Sequence, residues 1–216
     1  MTIYTIGHST RSLEELVAAL RGHGITTLVD IRSFPMSRRM PHFNRESLEV
    51  ELPKHGIAYV WLKDLGGRRK KVLQDSPNTA LRNESFRNYA DYMRTEEFAG
   101  GIAKLLNIVG QIDPTLSPKS GDKGGAPETA GPSTRSPQAT SLRMTPDKEA
   151  EAGTAIMCAE RVYFQCHRML VSDYLTAHGH TVLHIDDEKR PVRQHTPLVE
   201  ARLVDGKLVY DGGRLL

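Results

Sequence analysis

The chain reads as an α/β protein: a mainly parallel sheet of about five strands with helices on both faces, in Rossmann-like layering, plus a small C-terminal hairpin. Three observations lead there. Short apolar runs alternate with segments of helical period. The 216 residues are 38% hydrophobic and include only two cysteines, enough for one core that folds without staples. Titratable side chains gather just after each apolar run, where a parallel sheet keeps its ligand sites. One domain over residues 1–216 is expected.

The first strand is IYTIGH, beginning at Ile3. Ser12 and Glu15 form a capping box for a helix whose Leu13, Leu16, Val17 and Leu20 share a face, and Gly22 and Gly24 end it. TTLVDIR is the second strand, Asn44 to about His55 a short helix despite Pro53, and IAYVWL the third strand. Tyr59 and Trp61 alternate with apolar neighbours there, as core or pocket wall does. Phe86, Tyr89, Ala90 and Met93 mark a helix, and Phe98, Ile102, Leu105, Leu106 and Val109 another behind a Thr95 cap. AIMCAE, a helix from Arg168 to about Ala177, and TVLHID complete the alternation. Five units fall short of the eight a closed barrel needs. ARLVDGKLVY turns about Asp205-Gly206 and reads as a hairpin added at the sheet edge.

One stretch belongs to no core. Asp113–Gly153 holds six of the twelve prolines and no aromatic residue, so it cannot bury enough apolar surface to offset chain entropy. It reads as a disordered Pro/Gly/Ser-rich insertion. A net charge of +3 permits a nucleic-acid partner without requiring one. No run of 18 or more apolar residues and no charged-then-apolar leader is present, so a cytoplasmic setting with reduced cysteines and no membrane partner is expected.

In a parallel sheet the residues after each strand become neighbours. They are His8 and Ser9 after the first, Asp30 and Arg32 at the second, and Lys63, Asp64, Gly66 and Gly67 after the third. The fourth brings Cys158 and Glu160, with Cys166, His167 and Arg168 beyond, and the fifth His184 and Asp186. Forked guanidinium groups and close-approaching glycines suit an anion, which points to Arg32, Arg38 and Arg168 with Ser9, Gly66 and Gly67 as binding groups. GGRRKK lacks the spacing and the Lys-Ser/Thr pair of a P-loop, and no GxGxxG occurs. A carboxylate beside a histidine is the least that proton transfer needs, so Glu160 and His167 are read as catalytic, with His8 and Asp30 shaping the pocket. Cys166 is a nucleophile if a helix N-terminus, His167 and Arg168 lower its pKa, and a packing residue otherwise. Alternatively Cys158, Cys166 and His167, with His8 or His184 as a fourth, bind zinc. The seven-residue gap between the cysteines is not the usual two-residue knuckle, so no metal and no cofactor is assigned.

The YTIGHS start, VDIRSFPMSRR turn, HFNRESLEVEL helix, LGGR loop, YADYM helix and CAE…CHR block together resemble the family of small bacterial and archaeal proteins named for domain of unknown function 488, DUF488. The resemblance runs over nearly the whole chain outside the insertion. Its motif positions fall on His8, Ser9, Asp30, Arg32, Pro35, Ser37, Arg38, Gly66, Gly67, Cys158, Glu160, Cys166, His167 and Arg168. A shorter branch of that family replaces the cysteines and keeps the arginines and the histidine, which implies an anion pocket with a histidine more than obligatory thiol or metal chemistry. The expected function is an enzyme acting on a small anionic or phosphorylated, nucleotide-like ligand. The alternatives are a non-catalytic nucleic-acid-binding module and a Cys/His zinc or redox site. Oligomeric state is left open.

Overall fold

The computed structural model describes residues 1–71, 73–112 and 152–212. β1 (Thr2–Gly7), β2 (Ile25–Asp30), β3 (Ala58–Trp61), β4 (Gly153–Cys158) and β5 (Thr181–His184) form a parallel sheet in the order β3-β2-β4-β1-β5. A two-residue strand, β6 (Arg193–Gln194), adds antiparallel beside β5. Nothing in the sequence signals β6, because both residues are exposed and polar. β4 opens at Gly153, so the last residue of the expected insertion belongs to the strand. Residues 113–151 lie outside the described residues.

Each central strand is buried on both faces, which is why it reads as an almost continuous apolar run. On one face Leu28, Ala155 and Met157 meet Leu16 and Leu20 of α1 (Leu13–Gly22) and Leu48 and Leu52 of α2 (Arg45–Lys54). On the other, Val29, Ile31 and Ile156 meet α3 (Glu84–Tyr92), α4 (Glu96–Ile112) and α5 (Arg168–Ala177). Alternate residues of one strand thus serve opposite helix layers. The Ser12–Glu15 capping box forms in both directions, and Thr95 Oγ1 accepts the Phe98 N–H at 3.3 Å.

The hairpin β7 (Ala201–Val204) and β8 (Lys207–Tyr210) turns at Asp205 and Gly206, both at positive φ. It does not extend the sheet edge. Leu208 and Tyr210 are buried in the core layer of α3 and α5, and the Tyr210 hydroxyl donates to Asp173 Oδ2 at 3.0 Å. Asp173 also accepts from His195 Nε2 at 2.7 Å, His195 Nδ1 faces His184 Nε2 at 3.0 Å, and Thr5 Oγ1 lies 2.7 Å from His184 Nδ1. That buried chain ties the C-terminal segment to α5 and β1. Among the described residues no helix is long and apolar enough to cross a membrane.

The sheet order positions the site. β4 lies between β1 and β2, yet the helix after β4 packs on the opposite face from those after β1 and β2. Chains leaving neighbouring strands in opposite directions open a crevice at their carboxyl ends.

Candidate functional site

A cavity of about 600 Å³ opens at that crevice. His8 enters from the end of β1, Arg32, Ser33, Phe34, Met36 and Ser37 from the turn after β2, and Cys158 to Glu160 from the end of β4. The α5 entry adds Gln165, Cys166 and His167, Gly67 and Arg68 come from the loop after β3, and Ser85 and Phe86 from α3. Residues that follow four of the five parallel strands therefore converge, and those after β5 do not.

Several of them are committed to each other. Asp30 is fully buried and accepts from the Arg32 backbone N–H at 3.0 Å, Arg32 Nε at 2.9 Å and Nη2 at 2.5 Å, and the Tyr59 hydroxyl at 2.7 Å. Arg32 Nη2 also donates to the Phe43 carbonyl, and Nη1 donates to His8 Nε2 at 3.1 Å. For that Nε2 to accept, His8 must carry its proton on Nδ1, which donates to the Ser9 carbonyl at 3.0 Å. Burial, and then the Arg32 charge, pull His8 down to about 4, so its imidazole is neutral.

Arg168 is fully buried and, among the described residues, has no carboxylate partner. Its Nε donates to Cys166 Sγ at 3.2 Å, and Nη2 donates to the Glu160 and Arg161 carbonyls. Its guanidinium holds the β4–α5 loop from behind. Arg38 is exposed and outside the cavity wall, although its neighbour Ser37, whose N–H donates to Asn44 Oδ1 at 2.6 Å, lies on it. Ser9, Gly66, Asp30 and Arg168 are likewise absent from the wall. His8, Arg32, Gly67, Glu160, Cys158, Cys166 and His167 are on it.

The floor is the densest chemical feature. Cys158, Cys166 and His167 are all buried, with their donor atoms within 4.8 Å of one another. His167 Nε2 donates to the Ile31 carbonyl at 3.0 Å, which in the neutral ring makes Nδ1 the acceptor nitrogen, 3.7 Å from Cys158 Sγ. Gly67 packs against that ring: a Cβ there would lie 2.3 Å from His167 Nδ1, so only glycine fits. The thiols share protons. The Cys166 S–H bonded to Cys158 pulls Cys158 down to about 7 against burial, aided by Arg168 and by the Glu160 and Ala159 backbone N–H groups. Cys166 is pushed up to about 12 by Cys158 and by burial. The sequence argument placed the thiolate on Cys166, where Arg168 donates from its backbone N–H and from Nε, while the proton shared between the two thiols draws Cys158 down instead.

His184, the other expected zinc ligand, is taken up by Thr5 and His195 away from the cavity, and Tyr163 stacks on it at 3.6 Å. Burial, then the charges of His195, Arg168 and Arg193, pull it to about 3. His8 and His184 thus stay neutral in the fold but titrate near 6.5 when unfolded. As pH falls the unfolded chain takes up these protons first, so stability is full above about 6.5 and is lost down to about 4 for His8 and about 3 for His184. The melting temperature is expected to drop on the order of 10 °C between pH 7 and pH 4, and less in His8→Gln. A flat profile over that window, or no change in His8→Gln, would contradict the assignment.

Sequence reasoning passed over Ser33, Ser85 and Gln165 as wall residues, and it did not single out Arg68 from the basic run that could form a cationic rim. Arg68 is exposed, its side chain makes no hydrogen bond among the described residues, and its backbone N–H donates to Ser33 Oγ at 2.8 Å. Phe34 and Met36 are 65% and 75% exposed at the mouth, beside Phe86. Large apolar side chains left in water at a cavity rim are a signal for a ligand with an apolar face.

A family model described as "Domain of unknown function DUF488" matches residues 12–117, a stretch that ends before β4 and its cysteine block. No curated protein and no solved structure matches the chain.

Proposed function

Because the chain belongs to the DUF488 family, whose name assigns no activity, its function has to come from the pocket, and we propose an enzyme acting on a small anionic, nucleotide-like ligand. The observation that carries this reading is one cavity joining three unlike surfaces: the Cys158–Cys166–His167 floor, an exposed cation at Arg68, and the apolar rim of Phe34, Met36 and Phe86. Its volume suits a ligand of that size, since pockets for small molecules run from about 300 to 1,000 Å³. In this reading Arg68, with Ser33 and Ser37, takes the anionic group, supported by what Arg32 has left of its donors. The flat part lies on the rim. The reacting groups are on the floor, and Glu160, exposed at the edge, carries protons to and from solvent.

Inorganic phosphate and a nucleoside monophosphate are the probes. Calorimetry on Arg68→Ala is expected to show about five- to tenfold weaker binding, as the loss of one charge-assisted contact gives, with Arg38→Ala unchanged. Equal loss in both variants, or no binding by the parent, defeats the proposal. Tight binding of DNA or RNA that collapses steeply with salt would favour a nucleic-acid module instead.

A further inference from the structure

We infer that Cys158, Cys166 and His167 hold a divalent ion of the zinc type whose fourth position opens on the cavity, a deepening that rests on the pocket reading above. Two sulfurs and one imidazole nitrogen are a soft-to-borderline set, and three protein ligands with one open position is the pattern of a catalytic zinc. All three donor atoms lie within 4.8 Å of one another, and one pair already has the spacing a bound ion needs. With Zn–S near 2.3 Å and Zn–N near 2.1 Å, a tetrahedral edge between sulfur and nitrogen is about 3.6 Å, and Cys158 Sγ lies 3.7 Å from His167 Nδ1. The surrounding bonds orient these atoms. The Ile31 carbonyl takes the Nε2 proton and so turns the Nδ1 lone pair inward, while Arg168 donates to Cys166 Sγ from its backbone N–H at 3.4 Å and from Nε at 3.2 Å.

Among the described residues no further side chain completes the set. His8 is engaged by the Ser9 carbonyl and Arg32, and His184 by Thr5 and His195. All three donors line the cavity, so the remaining position faces it. Two thiolates balance the ion, which leaves the charge of buried Arg168 over and makes that position favour an anion: hydroxide, or the anionic group of the ligand itself.

Cobalt titration of the full chain, stripped with chelator and kept reduced, tests this. One equivalent should bind with sulfur-to-metal charge-transfer absorption, and Cys158→Ser and His167→Asn should each weaken binding at least about tenfold. Circular dichroism screens the variants for folding, and the parent spectrum stands without them. Inorganic phosphate should then shift the ligand-field bands. Absence of the charge-transfer band in the parent, or the same band and affinity in a folded Cys158→Ser, overturns the inference. The two readings fail separately. Arg68-dependent phosphate binding by chelated protein that gives no cobalt band keeps the pocket and removes the metal, whereas the cobalt band without any phosphate or nucleotide binding keeps the metal and removes the pocket.

Discussion

Gly7→Ala should be the most damaging single-methyl change in the described fold. A Cβ at this last residue of β1 would sit 1.8 Å from the Glu160 carbonyl oxygen and 2.8 Å from Arg168 Nη2. The first of these is backbone, so no side-chain rotation relieves the clash, and the whole β4–α5 loop must move. Overpacking of this kind costs about 3 kcal/mol or more, equivalent to a fall of roughly 10 °C in melting temperature. Gly100→Ala is the control. Gly100 lies in α4 with nothing within 4 Å of an added Cβ, so alanine should be neutral or should stabilise the helix by about 0.5–1 kcal/mol. Equal melting temperatures for the two variants would show that the loop is not packed on β1 as described.

Asp30→Asn is expected to have the next largest effect, and on stability rather than on chemistry. Among the described residues the carboxylate is the one charge partner of the Arg32 guanidinium, and both are buried. Breaking such a pair by removing one member leaves an uncompensated charge and costs about 3–5 kcal/mol, again roughly 10 °C or more. Replacing both, as in Asp30→Leu with Arg32→Met, should recover a large part of the loss, because a buried pair can be exchanged for apolar side chains at little net cost. Thermal denaturation of the single and double variants decides it. A single variant that melts like the parent but loses turnover would make Asp30 a proton carrier instead.

The elements were legible because their signals are local. Ser12 and Glu15 three residues apart, apolar runs of strand length, and the 3.6-residue spacing of Phe98, Ile102, Leu105 and Val109 need no knowledge of the rest of the chain. The convergence of His8, Arg32, Gly67, Cys158, Glu160, Cys166 and His167 was also legible, since parallel strands bring their ends to one side. What stayed hidden was how each side chain spends its bonds. Arg32 looks free in the sequence but is spoken for by a carboxylate two residues away, and Arg168 turns behind the loop to Cys166. Arg68 is one cation of a basic run that reads as either a binding rim or a solvated face, and only the Ser33 Oγ contact that pins its backbone at the cavity wall singles it out. Ser85 and Phe86 reach the wall because α3 packs near α5, a tertiary placement with no local trace.

β4 comes late in the chain but sits in the middle of the sheet, where Ala155 pairs with both Tyr4 and Leu28. During synthesis β1 and β2 are finished long before the strand that separates them exists. Until then each has an open hydrogen-bonding edge that another chain could use. Closing so long a loop adds little thermodynamic penalty, because each doubling of length costs only about 0.6 kcal/mol, but distant pairings slow folding. The thiols on β4 and beyond therefore meet the β2 turn only late in assembly. No N-terminal fragment ending before β4 can assemble this cavity, and the newly made chain is most open to misassociation just before β4 pairs with β1 and β2.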